Sequence, residues 1–256
     1  MSDSSPGEDT KLSFIAHLIE LRERLLKATA ALFGVLIVLI PSSNRLYDWL
    51  ALPLIAHLPQ GGTMIAIEVF SPFVTPLKLA LFAALVIAMP VLLYQLWAFV
   101  APGLYKREKK LAMPILVSAV VLFYVGCAFA YFLVLPAVAK FTTGVAPTGV
   151  AVMPDIGRYL DFALMLFLAF GLSFEVPVAI VILVAIGVVT VTQLVSGRRY
   201  AIVGAFVVAA IFAPPDALSM ALLAVPLCLL YEVGILGAGL LSKSWIQNQP
   251  DTSMIQ

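Results

Sequence analysis

The chain has 256 residues, of which 62% are hydrophobic and 11% charged, with a formal net charge of +1 and a mean hydropathy of +1.08. Soluble domains carry about 25% charged and 45–50% apolar residues, so this composition excludes a soluble enzyme, a nucleic-acid-binding module and a disordered chain. The near-zero net charge provides no global field that would recruit polyanions. The composition therefore predicts an integral membrane protein in contact with the lipid bilayer.

Six apolar stretches are candidate membrane-spanning helices, because about 20 apolar residues cross a bilayer. In chain order they are residues 25–41, 77–97, 112–136, 159–189, 200–213 and 217–236. The alternation of apolar and polar residues that is typical of strands is absent. We therefore predict an all-α, polytopic membrane protein with six transmembrane helices.

The last two of these stretches are short. Residues 200–213 would form about 21 Å of helix, and the apolar run that starts at residue 217 is about one residue longer before Glu232 interrupts it. Both are well below a hydrocarbon core of about 30 Å. Such helices must thin the bilayer, lean on their neighbours or recruit partner helices.

Lys and Arg are distributed unequally between the two ends of the stretches. One end carries eleven: Lys11, Arg22, Arg24, Lys27, Lys106, Arg107, Lys109, Lys110, Arg198, Arg199 and Lys243. The other end carries four: Arg45, Lys78, Lys140 and Arg158. Because basic residues accumulate on the cytoplasmic side, this distribution predicts that both termini are cytoplasmic.

We divide the chain into three parts. Residues 1–24 are predicted to form a cytoplasmic N-terminal segment with an amphipathic helix, and residues 25–241 form one six-helix transmembrane domain. Residues 242–256 are predicted to be a mobile cytoplasmic tail.

Two long connections lie on the predicted outer, periplasmic side, at residues 42–76 and 137–158. Their prolines favour ordered caps over disordered loops. Within the first connection, residues 45–57 mix apolar and polar side chains in a way that suits a short helix at the membrane interface.

Glu175 lies near the middle of the fourth stretch, two residues before Pro177. An acid at this depth costs about 2.5–3.5 kcal/mol on insertion scales, so it should face the bundle interior or a wet cavity. Pro177 is expected to kink the helix there. Two interpretations remain open, an acid needed only for packing and an acid with a function.

Four further acids have an ordinary structural interpretation, which for Glu108 stands beside a functional one. Glu20 can form a surface pair with Arg24, four residues on. Glu108 lies among four basic residues, either as a solvated acid or as a carboxylate that accepts a guanidinium at the membrane surface. Asp216 is a candidate N-cap for the sixth helix, and Glu232 is expected to mark either a helix end or an intramolecular pair.

The sequence contains no catalytic or metal-binding pattern. Cys127 and Cys228 are separated within apolar stretches, and His17 and His57 are predicted on opposite sides of the membrane. Phosphate-binding loops and nucleophile elbows are missing. We therefore predict no enzymatic activity, no cofactor and no bound metal.

The chain resembles the TatC family, the multi-spanning subunit of the twin-arginine protein translocase. The resemblance is carried by HLIELRER at residues 17–24, FSPF at 70–73, PVLLYQLWAFVAPGLY at 90–105 followed by Glu108, FGLSFEVP at 170–177, and PPD at 214–216. These segments occur in order over roughly residues 12 to 240, which makes the combined pattern highly specific.

The resemblance implies a receptor for twin-arginine signal peptides and a core subunit that exports folded proteins across the bacterial cytoplasmic (inner) membrane, driven by the proton-motive force. Glu20 and Glu108 would receive the two arginines, with Arg22 shaping the first site and Phe99 the nearby groove. Glu175 would be the membrane-embedded polar group of a concave face.

By the same resemblance, Pro53 would shape the outer cap, and the fifth and sixth helices would dock single-span partner subunits of the TatA and TatB type. The chain would form multi-copy assemblies in the lipid bilayer and would bind no nucleic acid. Relatives often carry polar residues around the turn before the sixth helix, where this chain has Ala213 and Met220, so the docking surface here is expected to be apolar.

Two alternative functions belong to other classes. One is a proton-coupled secondary transporter of a small solute that uses Glu175, although the sequence lacks an inverted repeat and paired broken helices. The other is a structural scaffold for other membrane subunits.

Overall fold

The computed structural model describes residues 6–56, 64–100, 109–144, 153–212 and 217–247. Nearly all of these residues are helical, which confirms the predicted all-α fold. The α-helices are α1 (Pro6–Leu39), α2 (Ser43–Ile55), α3 (Ser71–Val100), α4 (Lys109–Phe129), α5 (Leu135–Gly144), α6 (Ile156–Ser173), α7 (Val176–Ala185), α8 (Val191–Ser196), α9 (Arg198–Phe212) and α10 (Ala217–Gln247). A π-helical turn, Ala130–Val134, joins α4 to α5.

Five segments in the described part of the chain are long and apolar enough to cross a membrane. They are Leu18–Leu52, Ser71–Phe99, Met113–Phe141, Ile156–Ala185 and Met220–Leu240. The remaining predicted span corresponds to α9, whose 15 residues form about 22 Å of helix. The molecule is therefore a multi-pass membrane protein, with α9 as its short helix.

The sixth predicted span is longer than its apolar run. α10 has 31 residues and continues through Glu232, which corrects the expectation of a short final helix. Glu232 does not end α10 because its Oε2 lies 2.8 Å from Nη2 of Arg198, at the start of α9. The hydroxyl of Tyr231 also donates to the Leu194 carbonyl, at 2.9 Å. The acid is thus paired within the molecule, one of the two outcomes expected for it.

The ends of the chain are also more helical than expected. The N-terminal segment and the first span form one continuous helix, because α1 runs from Pro6 to Leu39. Residues 242–247, assigned to the tail, belong to α10.

The fourth span is interrupted between α6 and α7, at Phe174 and Glu175. Pro177 follows as the second residue of α7, a position that tolerates proline because its missing N–H would have no partner in the first turn. The hydroxyl of Ser173 donates back to the carbonyl of Ala169 in the last turn of α6. The predicted kink is therefore a helix end followed by a new helix start.

The core lies where α4 and α6 approach each other closely. A Cβ at Gly126 would lie 2.7 Å from the Phe170 carbonyl oxygen, and one at Gly171 would lie 2.7 Å from Cε2 of Phe123. The rings of Phe129 and Phe170 pack with centroids 5.2 Å apart. Small residues at the crossing thus let the two backbones meet, as is common for helices in membranes.

The short helix predicted within residues 45–57 is present as α2, and two of its carbonyl groups accept hydrogen bonds from the bundle. The Tyr131 hydroxyl donates to the Trp49 carbonyl at 2.8 Å, and the Tyr159 hydroxyl donates to the Leu50 carbonyl at 3.1 Å. Because both donors belong to the bundle, α2 lies across one end of it, which we call the cap end.

The two long connections join at Asp155 on the cap end. Residues 65 and 155 form a parallel bridge, in which Ile65 donates to the Pro154 carbonyl at 3.0 Å. The Asp155 carboxylate accepts hydrogen bonds of 2.9 Å from the backbone N–H groups of Ile67 and Arg158, the second of which caps α6. These bonds, with Ile67 contributing most, hold the pKa of Asp155 below its usual range.

Candidate functional site

A groove of about 160 Å³ lies between α1 and the last turns of α3. It is lined by Leu21, Arg24, Leu25 and Ala28 from α1 and by Leu92, Gln95, Leu96 and Phe99 from α3. The spacings of three and four residues place each set on one helical face. The groove is therefore an apolar trough with two polar side chains.

Glu20 is connected to this groove through Arg24. The Arg24 Nε donates to Oε1 of Glu20 at 3.0 Å, and Nη2 of Arg24 bonds the same oxygen. The two side chains are 35% and 23% exposed, so the pair is half-buried. This is the pair expected from their spacing of four residues. The carboxylate thus already holds a guanidinium that lines the groove.

The structure places Phe99 in the groove but not Arg22. Arg22 is exposed and lies two residues from Glu20, roughly 200° around the helix. Arg24, and not Arg22, is the basic residue beside the Glu20 carboxylate. Glu108 lies outside the described residues.

Glu175 lies at the break between α6 and α7, away from a helix interior. Its Oε1 is buried and has no hydrogen-bond partner among the described residues. Burying a polar oxygen without a partner is costly, and in membrane proteins such acids are retained mostly for function.

α7 packs closely on α10, where a Cβ at Gly234 would lie 2.7 Å from Cδ1 of Ile180.

α9 presents an apolar surface without a covering helix in the described structure. Val203, Val207 and Ile211 are all more than half exposed, and their spacing of four places them on one stripe of the helix. Tyr200 continues this stripe, and the Arg199 guanidinium lies 4.8 Å from the centre of its ring. This stripe lies on the fifth predicted span, one of the two helices that the family resemblance implies as docking elements.

Two other predicted positions lie partly or wholly outside the described structure. Pro53 belongs to α2, but its side chain is not described, and Asp216 is not described at all. Across the described residues, no three His, Cys, Asp or Glu side chains group in a way that could hold a metal ion.

Gln95 is a groove residue that the sequence interpretation missed. It lines the trough opposite Leu21 and Arg24. An amide inside the apolar stretch 77–97 is a signal that could have identified it, since such a group is costly in lipid and marks a bundle-facing position.

Residues 16–226 match the family model described as TatC, Sec-independent protein translocase protein. The chain belongs to the TatC family. It is 51% identical over 230 residues to the TatC protein of Azotobacter chroococcum, covering 90% of each chain. It is 50% identical to that of Escherichia coli K12, covering 89% of this chain and 88% of the relative. A match of 54% identity to the protein of Halothiobacillus neapolitanus covers 89% of this chain and 63% of that longer relative.

The fold agrees with a solved TatC structure, described as the twin-arginine translocase receptor TatC. The two structures superpose with a TM-score of 0.78 at 38% identity, covering 88% of this chain and 99% of the other. The predicted resemblance is therefore confirmed, as is the expectation of a translocase protein and not an enzyme. Membership of this protein-translocase family favours the translocase interpretation over the alternative of a secondary transporter for a small solute.

Proposed function

We propose that the chain is the twin-arginine signal-peptide receptor and core subunit of the Tat translocase, and that it exports folded proteins using the proton-motive force. The observation that carries this proposal is the half-buried Glu20 carboxylate, which holds a guanidinium beside an apolar groove. A signal peptide with paired arginines and an apolar segment presents the complementary chemistry.

In this proposal an arginine of the signal peptide replaces Arg24 on the Glu20 carboxylate. The exchange substitutes one guanidinium for another, so the carboxylate is paired before and after binding. The planar fork of arginine matches a carboxylate in a bidentate way that a lysine ammonium does not, which accounts for a preference for arginine. Glu108 receives the second arginine, and the apolar part of the peptide lies against Leu25 and Phe99.

We further propose that the protein lies in the bacterial cytoplasmic membrane with both termini in the cytoplasm. The distribution of eleven basic residues on one side and four on the other supports this orientation. It places the N-terminal half of α1, and with it Glu20, on the side from which cargo arrives.

The partners proposed for this chain are other Tat components. Single-span subunits of the TatA and TatB type dock on the exposed apolar stripe of α9 and on α10, and further copies of the chain assemble with them. Arg22 acts near the signal-peptide site, Glu175 is the membrane-embedded polar group, and Pro53 and Asp216 shape the outer side.

The test is binding of a fluorescent twin-arginine signal peptide to the purified protein in nanodiscs. Glu20→Gln and Glu108→Gln should each weaken binding about tenfold or more, since a charge-assisted pair is lost. Glu23→Gln is the matched control, because Glu23 is an exposed acid on the same helix with no groove contact, and its variant should bind as the unchanged protein does.

A twin-lysine peptide serves as the second control. It should bind weakly to the unchanged protein and to the Glu20→Gln variant alike. Equal binding of both peptides to the unchanged protein, or full binding by the two carboxylate variants, would contradict the assignment of these residues.

A further inference from the structure

A second, polar cavity of about 330 Å³ lies at the cap end of the molecule, remote in sequence from the α1–α3 groove. It opens between the first turns of α3 and α6 and the residues just before α3. Its charged lining residues are Glu68, Lys78, Asp155, Arg158 and Asp161. A volume of about 300 Å³ or more is in the range of small-molecule sites.

The cavity lies at the depth of lipid headgroups. The span Ser71–Phe99 has 29 residues, which makes about 44 Å of helix. The hydrocarbon core is about 30 Å thick, and the bilayer with its headgroup regions about 40–45 Å. When this excess is shared between the two ends of Ser71–Phe99, its first turn extends beyond the hydrocarbon into the headgroup region. Ile156–Ala185, which begins at the same cavity, has 30 residues divided between α6 and α7.

Three of the five charged groups are already used by the fold. Nζ of Lys78 lies 2.9 Å from Oδ1 of Asp161, which joins α3 to α6. The Asp155 carboxylate accepts the backbone hydrogen bonds that hold the cap. The hydroxyls of Ser71 and Thr75, both buried in the wall of the cavity, are bonded to each other at 3.2 Å.

The other two charged groups are available to a ligand. Within the described residues, neither the Arg158 guanidinium nor the Glu68 carboxylate forms an ion pair or a side-chain hydrogen bond, although the charge of Arg158 contributes a little to lowering the pKa of Asp155. The lining of the cavity thus includes one cationic and one anionic side chain that are not paired with each other.

Apolar side chains continue from the cavity along the outside of α3. Phe70 and Val74 line the cavity, and Phe70 and Phe73 are 74% and 73% exposed. Exposed phenylalanines beside a charged cavity are unusual on a water-facing surface but suit contact with acyl chains.

We propose that this cavity binds the headgroup of a zwitterionic phospholipid of the phosphoethanolamine class, with the phosphate on Arg158 and the ammonium on Glu68. A guanidinium is suited to phosphate, and a primary ammonium can donate hydrogen bonds to a carboxylate. The acyl chains of this lipid lie against Phe70, Phe73 and Val74. The inference is independent of the signal-peptide proposal, because no groove residue takes part in it.

Native mass spectrometry of the detergent-solubilised protein tests this, with phosphatidylethanolamine, phosphatidylglycerol and phosphatidylcholine titrated separately. The unchanged protein should bind phosphatidylethanolamine best. Glu68→Gln should weaken phosphatidylethanolamine binding about tenfold and leave phosphatidylglycerol unaffected, since that lipid has no ammonium. Arg158→Gln should weaken binding of both lipids, because both carry the phosphate.

Arg45→Gln is the matched control, since Arg45 is an exposed arginine at the cap end that does not line the cavity. Its variant should bind each lipid as the unchanged protein does. Three outcomes would each overturn the proposal. They are equal binding of the three lipids, unaltered lipid binding in both cavity variants, and the same loss of binding in the Arg45 variant. Glu68 and Arg158 are exposed, so each variant should have the same thermal unfolding midpoint as the unchanged protein. This midpoint is measured on the samples used for lipid binding.

Discussion

Glu20 and Glu23 differ in their surroundings because of the helix face on which each lies. Both are acids in the same part of α1, but only Glu20 is four residues from an arginine that enters the α1–α3 groove. Glu23 is exposed and has no such partner among the described residues. A carboxylate that is half-buried beside an apolar trough interacts more strongly with a guanidinium than one in water, since the surrounding dielectric is lower.

Arg24 competes with the signal peptide in the proposed mechanism, so its removal should strengthen peptide binding. Arg24→Gln should lower the Kd by up to about fivefold, the range of a partly exposed ion pair. Isothermal titration with the twin-arginine peptide measures this, and Lys27→Gln, an exposed change on the same helix, is the control. A loss of binding as large as that of Glu20→Gln would mean that Arg24 contacts the peptide itself.

At the scale of elements, the contact between α4 and α6 depends on the absence of a side chain. Gly171→Ala would place a methyl group 2.7 Å from Cε2 of Phe123, a ring that is itself buried. Overpacking of this kind costs about 1–3 kcal/mol, so the thermal unfolding midpoint in detergent should fall.

Gly204→Ala in α9 is the control for Gly171→Ala, and its thermal unfolding midpoint is measured in the same way. Nothing lies within 4 Å of a Cβ at Gly204, and alanine favours a helix over glycine by about 0.5–1 kcal/mol. Its unfolding midpoint should stay the same or rise. A similar loss in both variants would contradict the assignment of the loss in Gly171→Ala to the Phe123 contact.

The sequence predicted the spans well, because a run of apolar residues is sufficient to identify each one. It did not predict the length of α10, since the pairing of Glu232 with Arg198 joins residues 34 apart and depends on how α9 and α10 pack. The break at Glu175, two residues before Pro177, agrees with the kink expected from that proline. Proline alone was not a sufficient signal, however, because Pro90 and Pro226 lie inside uninterrupted helices.

The candidate site was predictable only in part. The pair of Glu20 and Arg24 follows from helical spacing, but the groove exists only because α1 packs against α3. Gln95 and Phe99 become neighbours of Arg24 through that packing, some 70 residues apart in the chain. Local pattern cannot supply such a contact, although the family resemblance supplied Phe99.

At the scale of the whole molecule, Asp155 joins the two long connections and should make the cap sensitive to acid. Its pKa is lowered because the folded state donates hydrogen bonds to the ionised form. The stabilisation is therefore fully present above the ordinary aspartate pKa of about 3.9 and is lost as the pH falls through the lower, folded value. Asp155→Ala should unfold at a lower temperature than the unchanged protein at pH 6, and the difference should shrink towards pH 3.

Asp48→Ala is the control for this comparison, since Asp48 is an exposed acid on α2 in the same cap. Its variant should follow the unchanged protein at each pH in scanning calorimetry. A difference between Asp155→Ala and the unchanged protein that persists undiminished at pH 3 would mean that the carboxylate charge has no part in holding the cap.

The shortness of α9 has an elastic consequence for the surrounding lipid. α9 forms about 22 Å of helix and Ser71–Phe99 about 44 Å, so wherever lipid and not another helix covers α9, the bilayer must be thinner there than beside Ser71–Phe99. Each ångström of this mismatch costs a fraction of a kcal/mol. Two molecules that approach each other with their α9 helices facing share one thinned region of bilayer in place of two. The elastic energy of bilayer deformation is then lower for the pair than for two separate molecules, which favours their approach before any side chains are in contact.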